Sequence, residues 1–327
     1  TRCIRSINQK VVRIMIIAKT KDKIVQADYG VYKANNNKFK GWHCYSGHDF
    51  LWINMKGYVY GNVCKHSGQY GNVYKGFELP TEPIICPAAS CYCSSDIGIP
   101  KEKTKGIIPT IDHSYNYPVV NDLQDVEAVI DDKKFGPDAT FQINWNLGRR
   151  CNYDCSYCPP TVHDNFSPHL SLERFKIAFD NLYKQIQQPK IKFTFTGGEP
   201  TINPDYIEMV EYAVSHQGVS VFTNTNGTAS VKKLKRLAEV GGLYLSVHEE
   251  FTVLPKLVKK LEKLKGLNIY VKMMMPLTFD KEYTDIIDTL LSYGLKVNAE
   301  PLVDKADNNK LYPYNEQQLH YIRNGQW

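Results

Sequence analysis

The sequence predicts an α/β protein in which six strand–helix units curl into part of a barrel, preceded by a small, mostly β, cysteine-rich domain. Three observations lead there. From residue 141 onward, short apolar runs alternate with amphipathic helical patterns, the rhythm of parallel strands joined by crossover helices. Before about residue 105 the chain is rich in Asn, Gly and Tyr, with short β-prone runs and turn signals. The nine cysteines are clustered: five fall between 44 and 93 and three between 151 and 158.

Taken in order, residues 1–105 are expected to form the first domain, with strands in VVRIMIIA, KIVQADYGVY, DFLWINMKGYVYGNV and GNVYKGF. Residues 106–137 read as a linker. Its first part, IIPTIDHSYNYPVV, has no clear period, and NDLQDVEAVIDDKK has the pattern of a short capped helix. The barrel is expected over 138–301, with strands at 141–147, 191–196, 219–224, 243–247, 269–275 and 296–301. Helices are expected between them at 172–187, 204–216, 230–240, 254–265 and 281–293. Right-handed crossovers would curl these six units in one direction. A polar, Tyr-containing tail follows at 302–327.

Composition narrows the class. With 327 residues, 43% hydrophobic and 23% charged, the chain is an ordinary globular protein. Its net charge of +6 comes largely from lysines at helical spacing, as in VKKLKRL and LPKLVKKLEKLKG. These read as solvated outer faces rather than a nucleic-acid footprint. No run approaches the roughly 18 apolar residues of a membrane span. VVRIMIIA is broken by Arg13 and followed by KTKDK, so it reads as a strand and not a signal peptide. An odd, clustered set of cysteines then points to metal in a reducing compartment, and a cytoplasmic location is expected.

The chemistry is concentrated at residues 141–159, FQINWNLGRRCNYDCSYCP. Cys151, Cys155 and Cys158 lie within eight residues, too close for unstrained disulfides. Structural zinc takes four N/S ligands, whereas a four-iron cluster on three thiolates keeps one iron open. Barrel enzymes carry their chemistry on the loops at the C-terminal strand ends. Here those loops hold the three cysteines after the first strand, GGEP at 197–200, TNTNG at 223–227 and SVHEE at 246–250. Arg149 and Arg150, just ahead of Cys151, would either tune a bound group or form surface salt pairs.

The CxxxCxxC loop with Tyr157 before its last cysteine, followed in order by these three motifs, resembles the radical S-adenosylmethionine (radical SAM) family. The resemblance implies a (β/α)6 partial TIM barrel and a [4Fe-4S] cluster on Cys151, Cys155 and Cys158, whose open iron chelates SAM. Reductive cleavage would then give a 5'-deoxyadenosyl radical that takes a hydrogen atom from substrate. By the same resemblance Gly197, Gly198, Glu199 and Pro200 serve the SAM amino group, and Thr223, Asn224 and Asn226 its ribose or carboxylate. Ser246 contacts SAM, His248 reaches SAM or substrate, and Tyr157 lies near the adenine. Glu249 and Glu250 either face substrate or cap the next helix, and Met273 to Met275 pack the barrel or line the adenine pocket. An electron donor such as flavodoxin or ferredoxin is implied.

The upstream pattern, Cys44-x12-Gly57, then Cys64 and the closing group Cys86, Cys91 and Cys93, is similar to SPASM and twitch domains. Those carry auxiliary clusters. Here Cys64 follows Gly57 after six residues rather than the usual four, and the domain precedes the barrel instead of following it. A second [4Fe-4S] cluster drawn from Cys44, Cys64, Cys86, Cys91 and Cys93 is expected, with a four-thiolate zinc site and buried inert thiols as alternatives. The leading expectation is an enzyme acting on a peptide. Alternatives are a radical SAM enzyme acting on a sugar, nucleotide or other small molecule, and a non-enzymatic metal-binding interaction protein.

Overall fold

The computed structural model describes residues 15–28, 38–91, 94–109, 140–158, 160–275 and 281–300. It also describes 111–130 apart from 113, 121, 122 and 124, and short pieces at 303–304, 310–311, 314–315 and 318. Cys3, Cys93 and most of the C-terminal tail lie outside the described residues.

In chain order the upstream strands are β1 (Met15–Thr20), β2 (Ile24–Asp28), β3 (His43–Cys44), β4 (Phe50–Ile53), β5 (Tyr58–Tyr60), β6 (Gln69–Asn72), β7 (Gly76–Phe77) and β8 (Ile84–Ile85). A short helix α1 (Ser94–Ile97) precedes β9 (Lys101–Glu102), β10 (Val119–Val120) and β11 (Val126–Ile130). The repeating part is β12 (Phe141–Asn146), α2 (Leu172–Gln185), β13 (Ile191–Thr196), α3 (Tyr206–Val214), β14 (Val219–Thr225) and α4 (Val231–Val240). It continues with β15 (Gly242–Val247), α5 (Leu254–Glu262), β16 (Ile269–Met274), α6 (Lys281–Ser292) and β17 (Lys296–Glu300), and β18 (Val303–Asp304) pairs with β19 (Lys310–Leu311).

The protein is α/β. Strands β12 to β17 lie side by side in chain order, all parallel, each joined to the next through one helix. Their sequences alternate as the pleat requires: in IKFTFT, Ile191, Phe193 and Phe195 are buried against the helices, and Lys192, Thr194 and Thr196 are half-buried on the other face. The helix-side core joins Trp145, Phe175, Phe179, Phe193, Leu237, Leu245 and Val271. Helix starts are set by caps, Ser171 accepting from the Arg174 N–H and Ser230 from the Lys233 N–H. Met273 and Met275 pack in this core, as expected for barrel packing.

Two expectations change upstream. First, the sheet does not stop at β12. Strand β4 pairs with it in parallel, and β5, β6 and β7 follow antiparallel, so residues 50–77 continue the same ten-stranded sheet. The reason lies in FLWI, which is apolar at every position and therefore asks for cover on both faces. Leu51 and Ile53 join the helix-side core, while Phe50 and Trp52 join the core of a second, seven-stranded sheet. Second, the segment expected as a short helix in the linker is strand β11, antiparallel to both β1 and β9. Its β-branched Val126, Val129 and Ile130 are all buried, and burial in a sheet outweighs the local helical pattern. Among the described residues no helix is long and apolar enough to cross a membrane.

Candidate functional site

The loop after β12 is pinned by backbone hydrogen bonds before its first cysteine. Asp164 N donates to Arg149 O (3.0 Å), Cys151 N to Asp164 O (2.7 Å) and Glu199 N to Arg150 O (2.9 Å). Arg149 pairs with the Asp164 carboxylate at 3.3 Å and donates to Pro160 O at 2.8 Å, so it braces the loop. Sequence reasoning passed over Asp164, although D-x-x-S is a turn signal: its carboxylate accepts from Ser167 N at 2.8 Å and from the Ser167 hydroxyl at 2.6 Å. Cys158 N closes a turn on Cys155 O at 2.9 Å, and the Tyr153 N–H points at Cys151 Sγ, 3.4 Å away.

Cys155 is buried, and Cys151 and Cys158 are half-buried. Burial pushes the Cys155 thiol up to about 11 and raises Cys151 as well, and each would feel negative charge on the other two cysteines of its loop or on one of them. A bound metal reverses this by deprotonating its thiol ligands. Among the described residues, no three His, Cys, Asp or Glu side chains are grouped closely enough to hold one metal ion. A four-iron cluster takes each thiolate on a different iron, so its ligands stand further apart than those of a single ion, and this donor set suits it.

The GGEP loop packs onto the cysteine loop. Gly197 and Gly198 have φ of +99° and +48°; a Cβ on the first would lie 1.9 Å from Asn146 Oδ1, and on the second 2.1 Å from Arg150 O. Their lack of a side chain, expected to admit a ligand, is used in the structure to let two loops touch. Glu199 is 2% exposed and accepts from Thr201 N (3.0 Å), Thr225 Oγ1 (2.8 Å), Asn226 N (2.6 Å) and the Thr201 hydroxyl. Burial raises its pKa, while these donors pull it back. It is a brace between the ends of β13 and β14. Buried Pro200 opens the short 3-10 turn Pro200–Ile202 behind it.

At the end of β14 the expected contacts divide by face. Thr223 is buried on the helix side, sharing a 2.7 Å hydrogen bond with the Tyr206 hydroxyl. Asn224 sits on the opposite face, and its buried Oδ1 has no hydrogen-bond partner among the described residues. That orphaned acceptor is what a donor-bearing ligand such as SAM would satisfy. Asn226 is tied into the loops, donating to Asn152 Oδ1 at 3.0 Å and accepting from Thr228 N at 3.1 Å. Ser246 is half-buried, on the same face of β15 as Tyr244.

The loop after β15 grips the cysteine loop from the other side. Tyr157 OH and His248 Nδ1 are 2.5 Å apart with their rings stacked at 5.8 Å, and Tyr153 stacks on Phe251 at 4.9 Å. Burial depresses the His248 pKa, which favours the neutral ring. Glu250 accepts from Ser156 N at 2.8 Å and from the Ser156 hydroxyl, between the second and third cysteines. The next helix has no side-chain cap at its start, so Glu250 does not cap it; its carboxylate holds the cysteine loop instead. Tyr153, Asn152 and Phe251 were also missed. No local spacing rule links residues 94 positions apart.

Upstream, the cysteines fall into two pairs. Cys44 on β3 and Cys86 just after β8 are both buried in the second core, while Cys64 is exposed and Cys91 half-buried. Burial raises Cys44, with the Lys101 charge opposing and Cys86 adding to the rise. Burial likewise pushes Cys64 up to about 12, and Cys91 contributes. Lys101 is 2% exposed, and its Nζ donates to Asp96 O at 2.6 Å and Ile99 O at 2.8 Å. The Asp96 carboxylate in turn accepts from Val63 N and Cys64 N, both at 2.8 Å.

Residues 145–298 match the family model described as the radical SAM superfamily. The Fe-coproporphyrin III synthase of Methanosarcina barkeri is 36% identical over 116 residues, which is 35% of this chain and 28% of that protein. Mycofactocin maturase MftC of Mycobacterium tuberculosis is 32% identical over 102 residues, 31% of this chain and 25% of that protein. The GTP 3',8-cyclase of Nautilia profundicola is 22% identical over 187 residues, 52% of this chain and 58% of that protein. The matched part thus spans less than two thirds of each relative's length.

Proposed function

We propose that this chain, whose residues 145–298 match the radical SAM superfamily model, is a radical SAM enzyme that cleaves SAM reductively and abstracts a hydrogen atom from a substrate, with β12 to β17 as a (β/α)6 partial barrel. The carrying observation is the interlock of three strand-end loops around the three thiols of Cys151, Cys155 and Cys158. Gly198 packs on Arg150 from one side and Glu250 holds Ser156 from the other. When bound, a [4Fe-4S] cluster and SAM would supply an electron and a 5'-deoxyadenosyl radical. The chain's own part is to hold the thiols, to offer Asn224 Oδ1 and Ser246 to SAM, and to screen the loop from water with Tyr153, Tyr157 and Phe251.

Cys44, Cys64, Cys86 and Cys91, with Cys93 in reserve, are proposed to hold a second [4Fe-4S] cluster as an auxiliary domain. Lys101 supports this reading, because a buried cation offsets the charge of several thiolates. A cytoplasmic setting with a flavodoxin- or ferredoxin-like donor follows from the same chemistry. A peptide is the preferred substrate, since the name of MftC is that of a maturase. The name of the GTP cyclase keeps a nucleotide as the second reading. The test is anaerobic reconstitution with iron and sulfide, reduction with dithionite and chromatography for 5'-deoxyadenosine. Formation of deoxyadenosine and methionine is expected; none from reduced, iron-loaded protein would return the chain to the metal-binding reading.

A further inference from the structure

Lys101 is a buried cation, and among the described residues no carboxylate pairs with it. It lies directly opposite Cys44 in the antiparallel pairing of β3 with β9, and cross-strand partners point to the same face of a sheet. On its other side Cys44 is partnered by Ile84, and Cys86 follows two residues later with its N–H bonded to Trp42 O at 2.8 Å. Lys101 Nζ donates to the carbonyls of Asp96 (2.6 Å), Ile99 (2.8 Å) and Ile97 (3.4 Å) and stands 4.9 Å from the Phe39 ring centre. Phe39, Ile97 and Ile99 share one core with Cys44 and Cys86.

The carboxylates nearest to it in the chain are committed elsewhere. Asp96 accepts from Val63 N and Cys64 N, both at 2.8 Å. Glu102, on the opposite face of β9 by the period of two, accepts from Gly106 N, Ile107 N and Ile108 N. Asp96 thus joins the Cys64 loop, through its carboxylate, to Lys101, through its carbonyl. Two residues after Cys44, Ser46 is fully buried, and its hydroxyl has no hydrogen-bond partner among the described residues. Burying an ammonium is costly unless negative charge is buried with it. A cluster on four thiolates fits this site, because it is anionic and becomes more so when it gains an electron. The loop of Cys151, Cys155 and Cys158 has different company: the Glu250 carboxylate is bonded to Ser156 inside it, and among the described residues no lysine or arginine other than Lys101 is buried.

On the auxiliary-cluster reading of Cys44, Cys64, Cys86 and Cys91, we propose that Lys101 sets the reduction potential of the upstream cluster and holds it above that of the loop cluster. A fixed positive charge beside a cluster favours the reduced form, which carries one more negative charge. The upstream centre is then the easier of the two to reduce. Lys101 is no ligand; it acts on the cluster through its charge.

The test is an anaerobic redox titration, followed by electron paramagnetic resonance, of the reconstituted full chain. Wild type is compared with Lys101→Gln, which keeps a donor for the carbonyls, and with Lys101→Arg, which keeps the charge. The Cys151/Cys155/Cys158 triple alanine protein assigns the upstream couple. Lys101→Gln should shift the upstream reduction equilibrium at least about tenfold toward the oxidised form, about 59 mV for one electron, and leave the loop couple in place. Lys101→Arg should stay within about threefold of wild type. An unmoved upstream couple in Lys101→Gln, or an equal shift of both couples, overturns the proposal. If Lys101→Gln fails to fold or to load the upstream site, wild type decides: an upstream couple above the loop couple upholds the proposal, and one at or below it overturns it. Iron content separates the two readings: about eight irons per wild-type chain with an unmoved potential sinks the role of Lys101 alone, whereas about four irons, all lost in the triple variant, removes the auxiliary cluster and this role with it.

Discussion

The two cysteine groups are held in opposite ways. Cys151, Cys155 and Cys158 ride on one short loop, whose backbone is bonded to the neighbouring loops by Asp164, Glu199 and Glu250. Cys44, Cys64, Cys86 and Cys91 come from separate strands and loops, and two of them are buried in an apolar core beside a buried lysine. A ligand set on a loop can lose its metal while the core stays packed. A set built into the core ties metal and stability together.

That contrast can be broken by mutation. The largest expected effect is on chemistry: Cys155→Ala should lower deoxyadenosine formation by roughly three orders of magnitude or more, since the three thiols act as a unit. Its thermal midpoint should stay close to the wild type. A collapse of the midpoint would mean that the loop, too, belongs to the core.

Next comes the brace. Glu199→Ala strands buried donors on Thr201, Thr225 and Asn226 and should cost about 2–4 kcal/mol in chemical denaturation. A loss of SAM affinity with unchanged stability would instead make Glu199 a direct ligand. Cys44→Ser puts a hydroxyl in an apolar core and should cost about 1–3 kcal/mol, with iron content falling in parallel. Stability lost without any change in metal content would mark Cys44 as a buried thiol alone.

The smallest expected difference separates neighbours. Thr223→Ala removes one buried hydrogen bond to Tyr206 and should cost about 1 kcal/mol while leaving SAM binding intact. Asn224→Ala should weaken SAM binding, measured by titration, with little change in stability. The reverse outcome would show that the face assignment is inverted.

The repeating half of the chain was legible because its strands obey a period of two, its helices are amphipathic and two of them carry serine caps. Upstream, the signal failed for identifiable reasons. VEAVI sits among charges that imitate a helical pattern, and its partners β1 and β9 are distant in sequence. FLWI is too short to show that it needs cover on both faces. At the site, the cysteine spacing was plain, but period two, if applied along β14, separates Thr223 from Asn224, and the motif obscured that. The hold of Glu250 on Ser156 and of Tyr157 on His248 spans more than ninety residues and exists only once β15 lies in place.

The most direct test of the central claim, that the loop of Cys151, Cys155 and Cys158 holds the SAM-cleaving cluster, is iron, zinc and sulfide analysis with a deoxyadenosine assay. The samples are reconstituted wild type, a Cys151/Cys155/Cys158 triple alanine variant and a Cys44/Cys64/Cys86/Cys91 quadruple alanine variant. Two clusters predict roughly eight irons in the wild type and about four in the triple variant, with deoxyadenosine lost only where the loop thiols are gone. Equal iron in wild type and triple variant, or deoxyadenosine still formed by the triple variant, would contradict the account.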